Sequence, residues 1–129
     1  MSKYSNLTEE EITRTTLQRP IIAKYIIHFS VANLRDKSIF ITGGLGLQEA
    51  VNWLLIYDIK SNSWREGPLM NQARFNHSSC VVGTTLFVFC GQSQVGNISG
   101  YVASIESIEV GKGSIKSELA RWSQIDPLN

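Results

Sequence analysis

A glycine-rich turn, Thr42-Gly43-Gly44-Leu45-Gly46, follows an apolar strand. In such a place glycines let a backbone approach a pyrophosphate at the start of a helix, which is the chemistry of a dinucleotide site. The full fingerprint needs a third glycine where Glu49 stands when counted from Gly44 and Gly46. A related spacing counted from Gly43 needs glycines where Leu47 and Glu49 stand. Leu47 to Tyr57 can still be read as the helix such a site requires, so a nucleotide-dependent oxidoreductase using residues 42–46 is kept as an alternative. His28 and His77 are the only histidines, in equivalent places of two similar segments. A metal site needs more ligands at coordination spacing, so both are read as structural, each bonding a loop at the start of a first strand. Ser78, Ser79 and Cys80 follow His77, but a strand sends neighbouring side chains to opposite faces, which separates any nucleophile from its base.

The elements that position these residues occur twice. The first copy has Ser38-Ile39-Phe40-Ile41-Thr42-Gly43-Gly44, then Tyr57-Asp58, Trp64, Pro68-Leu69-Met70, Arg74 and His77. The second has Leu86-Phe87-Val88-Phe89-Cys90-Gly91, then Ile108-Glu109, Trp122 and Pro127-Leu128. The order recurs with a period of about 50 residues, which is the mark of a repeat architecture. Arrays of this kind usually bind rather than catalyse.

Short strands are expected from Tyr25 onward, from β-branched and aromatic runs separated by turn residues. Residues 26–31 and 38–42 form the first hairpin around Asn33 to Lys37. Asn52 to Ile59 gives a third strand, and Lys60-Ser61-Asn62 turns it back to a fourth around Trp64. Gly67-Pro68 opens a loop to Asn76. The same order repeats at 77–83, 85–90, 103–110 and 120–124. The last hairpin is longer in the second copy, with 14 positions from Ile108 to Trp122 against 7 from Tyr57 to Trp64. The first hairpin of the first copy is expected to be about two residues longer than its counterpart. Residues 1–25 differ: Thr8-Glu9-Glu10-Glu11 is a capping box, Leu7 and Ile12 are spaced as a hydrophobic staple, and Pro20 stops the helix that they start.

A hydrophobic fraction of 43% and a charged fraction of 18% describe a globular chain. Net charge is +1, without the clustered cations of a nucleic-acid binder or a polybasic membrane anchor. No apolar run approaches the roughly 20 residues of a membrane helix, and the polar, acidic start is not a signal peptide. An intracellular, cytoplasmic chain is the expectation, and sequons at Asn6, Asn76 and Asn97 are read as chance. Cys80 and Cys90 fall on opposite arms of a hairpin turning at Gly83-Thr84. With Cys80 opposite Phe87 or Val88, the two are diagonal neighbours about 7–8 Å apart. That is too far for an unstrained disulfide, so two buried free thiols are expected.

The doubled pattern resembles kelch repeats, the blades of one class of β-propeller. Gly43, Gly44, Tyr57, Asp58, Trp64, Pro68, Met70, Arg74 and His77 match the family signature in order. The second copy departs from it, with Cys90 before Gly91, Ile108-Glu109 for Tyr-Asp, and Trp122 kept. The resemblance covers residues 26–129 and implies binding of a protein partner through a propeller face. On that face lie the loops between second and third strands, Leu45 to Val51 and Gln92 to Val102, and the connector Gly67 to Asn76. It nominates Gln48, Glu49, Arg74, Asn76, Gln92, Gln94 and Asn97 as contacts, with Arg74 a brace for its loop as the alternative. Some enzymes use kelch-type propellers, but no ligand set of theirs can be placed on these residues. No BTB or F-box pattern is recognisable in residues 1–25, so a ubiquitin-ligase adaptor has no support there.

The resulting expectation is an all-β chain: a partial propeller of two four-stranded antiparallel kelch-like blades, about 26–66 and 77–125, behind a helical extension over 1–25. Its function would be non-catalytic protein binding, as a scaffold or adaptor without cofactor or metal. Propellers close with roughly 4–8 blades. Two blades therefore imply a fragment of a longer array, or self-association that completes a ring. A truncated product without independent function is the remaining alternative.

Overall fold

A computed structural model of the chain describes residues 26–111 and 120–125, and every regular element among them is a β-strand. The helical extension expected over residues 1–25 lies outside the described residues. The first sheet is a meander of β1 (Ser30–Leu34), β2 (Ser38–Thr42), β3 (Leu54–Asp58) and β4 (Ser63–Glu66), in that order and antiparallel throughout. The second contains β5 (Ser78–Val82), β6 (Thr85–Phe89), β9 (Ile105–Glu109) and β10 (Ser123–Ile125), paired in the order β10-β9-β6-β5. A separate hairpin, β7 (Gln92–Val95) and β8 (Ile98–Tyr101), is inserted between β6 and β9.

Local chemistry fixes the turns. Two residues, Gly83-Thr84, join β5 to β6, and Gly83 takes the positive φ of 63° that such a hairpin needs. The β3–β4 turn uses Asn62 at φ 52°, with the Asp58 carboxylate accepting the Ser61 N–H at 3.0 Å. Cys80 pairs with Phe87 and both cysteines are free.

Five expectations need correction. The first strand starts at Ser30 rather than residue 26, because Ile27 bridges to Leu45 and His28 takes φ 57°, which breaks the extended run. Its turn is then residues 35–37, one residue longer than its counterpart rather than two. The supposed loop from Gln92 to Val102 contains the β7–β8 hairpin, turned at Gly96-Asn97 with Gly96 at φ 60°. Neither thiol is buried as expected: Cys90 is exposed and Cys80 half-buried. The helix that a dinucleotide site would require over Leu47 to Tyr57 is not formed: Leu45 bridges to Ala50, and Leu54 begins β3.

The main core lies between the two sheets. Ala32, Leu34, Phe40, Leu54, Ile56 and Met70 from one side meet Leu86, Val88, Ile108, Val110 and Trp122 from the other. A strand presents alternate residues to one face, so Leu54 and Ile56 point inward with Phe40, while Ile39, Ile41, Leu55 and Tyr57 form a second cluster on the opposite face. That outer cluster is almost fully buried, but Phe87 and Phe89 on the far face of the second sheet are only half-buried. The asymmetry is testable. Phe40→Ala should cost about 3–5 kcal/mol, and Phe87→Ala less than half as much, by urea unfolding of both variants. Equal losses would mean that the far face of the second sheet is as fully packed as the inter-sheet core.

Candidate functional site

The connector from Gly67 to His77 carries the chain from the first sheet to the second and mixes inward and outward residues. Met70, Arg74, Phe75 and His77 are buried, while Asn71, Gln72 and Asn76 are exposed. Its backbone is tied to the first sheet's loops: Met70 N–H donates to the Asn52 carbonyl at 2.8 Å, Arg74 N–H to Val51 at 3.2 Å, and Gly44 N–H to Arg74 at 2.9 Å. On the other side Trp122 Nε1 donates to the Pro68 carbonyl at 2.8 Å, and Asn71 Nδ2 donates to the Trp122 carbonyl at 3.2 Å.

Arg74 is the centre of this arrangement. Its guanidinium is wholly buried and donates to Cys90 O at 3.1 Å, Ser104 O at 2.8 Å, Ser104 Oγ at 3.1 Å and Glu106 Oε2 at 2.7 Å. Glu106, equally buried on β9, also accepts the backbone N–H groups of Asn71 at 2.7 Å and Gln72 at 2.9 Å. A buried carboxylate with an ionic partner and two amide donors is well satisfied. Arg74 therefore leaves the set of surface contact candidates, since its charge is consumed inside the fold. Glu106 was missed by sequence reasoning. Its one signal is parity: it shares the inward alternation of Ile108 and Val110, where a charge demands a partner.

The glycine pair explains how the connector comes so close. Gly43 has φ 59°, and a Cβ there would stand 2.3 Å from the Arg74 carbonyl oxygen. Gly44 (φ 119°) and Gly91 (φ 100°) repeat the conformation, and Cys90 adopts φ 53° in the place of Gly43. His77 sits against both glycine corners and pairs Nε2 with Thr42 Oγ1 at 2.8 Å, while its Nδ1 has no partner. Burial first, and the Arg74 guanidinium second, hold its pKa down at about 4. The equivalence expected for the histidines shifts by one residue, because Asn76 (φ 52°), not His77, repeats the left-handed His28 (φ 57°). His28 is exposed, with its ring 6.5 Å from that of Phe75.

Outward from this interior, the polar candidates meet along one rim. Ala50 N–H donates to Gln94 O at 2.9 Å, Gly96 N–H to Gln48 O at 3.0 Å, and Phe75 and Gln92 exchange both backbone bonds. Glu49 bridges to Val95, and Asn76 Nδ2 donates to Gln92 Oε1 at 2.9 Å. Gln48, Glu49, Asn76 and Asn97 are exposed there, with Gln92 and Gln94 half-buried. Leu47, Val95, Ile98 and Tyr101 add 66–89% exposed apolar side chains that sequence reasoning did not nominate. Of the remaining signature residues, Tyr57 and Trp122 are buried and Asp58, Trp64 and Pro68 half-buried; Tyr57 packs on Trp64 at 4.9 Å between ring centroids and bonds Asn62.

Two outcomes follow from the buried groups. Arg74→Met leaves Glu106 charged and unpaired, so it should cost about 3–5 kcal/mol, and adding Glu106→Leu should recover part of that in a double-mutant cycle read by denaturant unfolding. For His77 the folded pKa lies below the unfolded 6.5. Its contribution is therefore complete above pH 6.5 and lost as pH falls toward 4, by about 3 kcal/mol in all. Urea unfolding at pH 7 and pH 4 should show that extra loss in the native chain and not in His77→Gln; parallel losses would refute it.

No protein-family model matches the chain. Over 82 residues, 60% of the chain, it is 32% identical to Kelch domain-containing protein 3 of Bos taurus. The match covers 21% of that protein, so the chain spans about a fifth of the relative's length. Its four-stranded antiparallel sheets fit a partial propeller, and with this match they support a kelch-like relationship.

Proposed function

We propose that the chain supplies two blades of a kelch-type β-propeller and that it is a non-catalytic module binding a protein partner at the rim. One observation carries this reading: loops from both sheets are tied backbone to backbone, and the tie leaves a polar rim beside exposed apolar residues at the hairpin. The backbone groups that would otherwise compete for water are satisfied within the rim, while Leu47, Val95, Ile98 and Tyr101 face outward. Exposed apolar side chains ringed by Gln48, Glu49, Asn76 and Asn97 have the composition of a protein-binding patch. Among the described residues no helix is long and apolar enough to cross a membrane. The half-buried Phe87 and Phe89 suit packing against a further blade, since repeat units depend on their neighbours.

The test is a triple variant, Val95→Ser, Ile98→Ser and Tyr101→Ser, whose side chains are exposed and outside both core clusters. Proteins captured by the native chain should be bound at least about tenfold more weakly by the variant, with an unchanged circular dichroism spectrum. Unaltered capture by a folded variant would move the binding surface elsewhere.

A further inference from the structure

Beside the hairpin tip lies a groove of about 450 Å³ whose walls are mostly apolar. Ile26, Leu47, Val51 and Trp53 form them, with Gln48 and Glu49 at the edge. Its framework is fixed on both sides. Gly46 N–H donates to the Glu49 carbonyl at 2.8 Å, closing the turn that carries Leu47 and Gln48. The bonds from Ala50 to Gln94 and from Gly96 to Gln48 then clamp that turn to the β7–β8 hairpin. Glu49 is the one ionisable residue lining the groove, and its carboxylate has no hydrogen bond or ion pair among the described residues.

An apolar trough with a carboxylate at its edge and an indole in its wall selects among occupants. An aliphatic side chain would fill the trough, but would crowd Glu49 away from water without giving it a partner. An acidic one would be repelled by Glu49. A lysine or arginine satisfies all three features at once. Its methylene stem would lie along Leu47, Val51 and Ile26, its cationic end would reach the carboxylate, and the indole of Trp53, which lines the same groove, is a ring type that attracts such a charge. We propose that this groove is a specificity pocket for a basic side chain of the bound partner segment. The inference rests on the rim reading above and adds the chemical class that the rim selects.

The experiment displays random linear peptides against the full 129-residue chain and remakes the best binder synthetically. Enriched peptides should share one fixed arginine or lysine. Glu49→Gln should weaken the synthetic peptide about fivefold, and Trp53→Leu by a similar factor. Glu49→Lys should shift enrichment from basic to acidic residues. Replacing the fixed basic residue by norleucine, which keeps the stem and removes the charge, should cost at least that factor and abolish any further effect of Glu49→Gln. Peptides that lose binding in the Val95, Ile98 and Tyr101 triple variant, yet show no basic preference or no response to Glu49→Gln, would overturn the pocket and leave the rim intact. Failure to enrich any selective binder would overturn both.

Discussion

The structure depends on one buried ion pair. Arg74 and Glu106 meet at 2.7 Å with both side chains wholly out of solvent. Desolvating two charges costs several kcal/mol per ion, so such a pair is poor evidence of stability in itself. Its value here is geometric. Arg74 belongs to the connector and Glu106 to β9, and Glu106 also collects the Asn71 and Gln72 amides. An apolar contact could slide by a residue without much loss. Four donors converging on two carboxylate oxygens and two carbonyls cannot, so the pair fixes how the connector crosses from one sheet to the next.

That fixing requires room, and the glycine corners provide it. The Arg74 carbonyl comes within bonding distance of the Gly44 amide only because Gly43 carries no side chain to obstruct it. At the second corner the left-handed residue is Cys90, and Arg74 bonds the Cys90 carbonyl itself. Its side chain is exposed, so the corner tolerates a Cβ where the first does not. The two corners share backbone shape but differ in what is packed behind them, which is why the repeat is stricter in its first copy.

Much of the β order could be read from sequence because strand and turn chemistry are local. The Ile39-Phe40-Ile41 run, the Gly83-Thr84 turn and the Asp58 to Asn62 return each declare themselves within a few residues. What was missed depends on partners distant in the chain. Ile26 and Ile27 read as strand by composition, but Ile27 pairs with Leu45 and the ladder begins only after the left-handed His28. The β7–β8 hairpin was hidden by its polar residues, although Gly96-Asn97 is a hairpin turn signal. Glu106 was invisible because an exposed and a buried glutamate look alike until the facing Arg74 is placed. For the same reason Arg74 stood among surface candidates, whereas Gln48, Glu49 and Asn97 are exposed as loop residues ordinarily are.

The interior and the rim are two sides of one segment. From Met70 to His77 the connector sends Arg74, Phe75 and His77 inward, and its Phe75 backbone and Asn76 side chain hold Gln92 at the base of the hairpin. The hairpin in turn holds Gln48 and Ala50. Backbone bonds thus run from the buried ion pair to the exposed edge without passing through a mobile side chain. A surface assembled in this way loses little freedom when something docks on it, because folding has already ordered it. On the reading proposed above, selectivity is then left to the side chains that the backbone network does not consume, and of the charged ones along this rim that is Glu49.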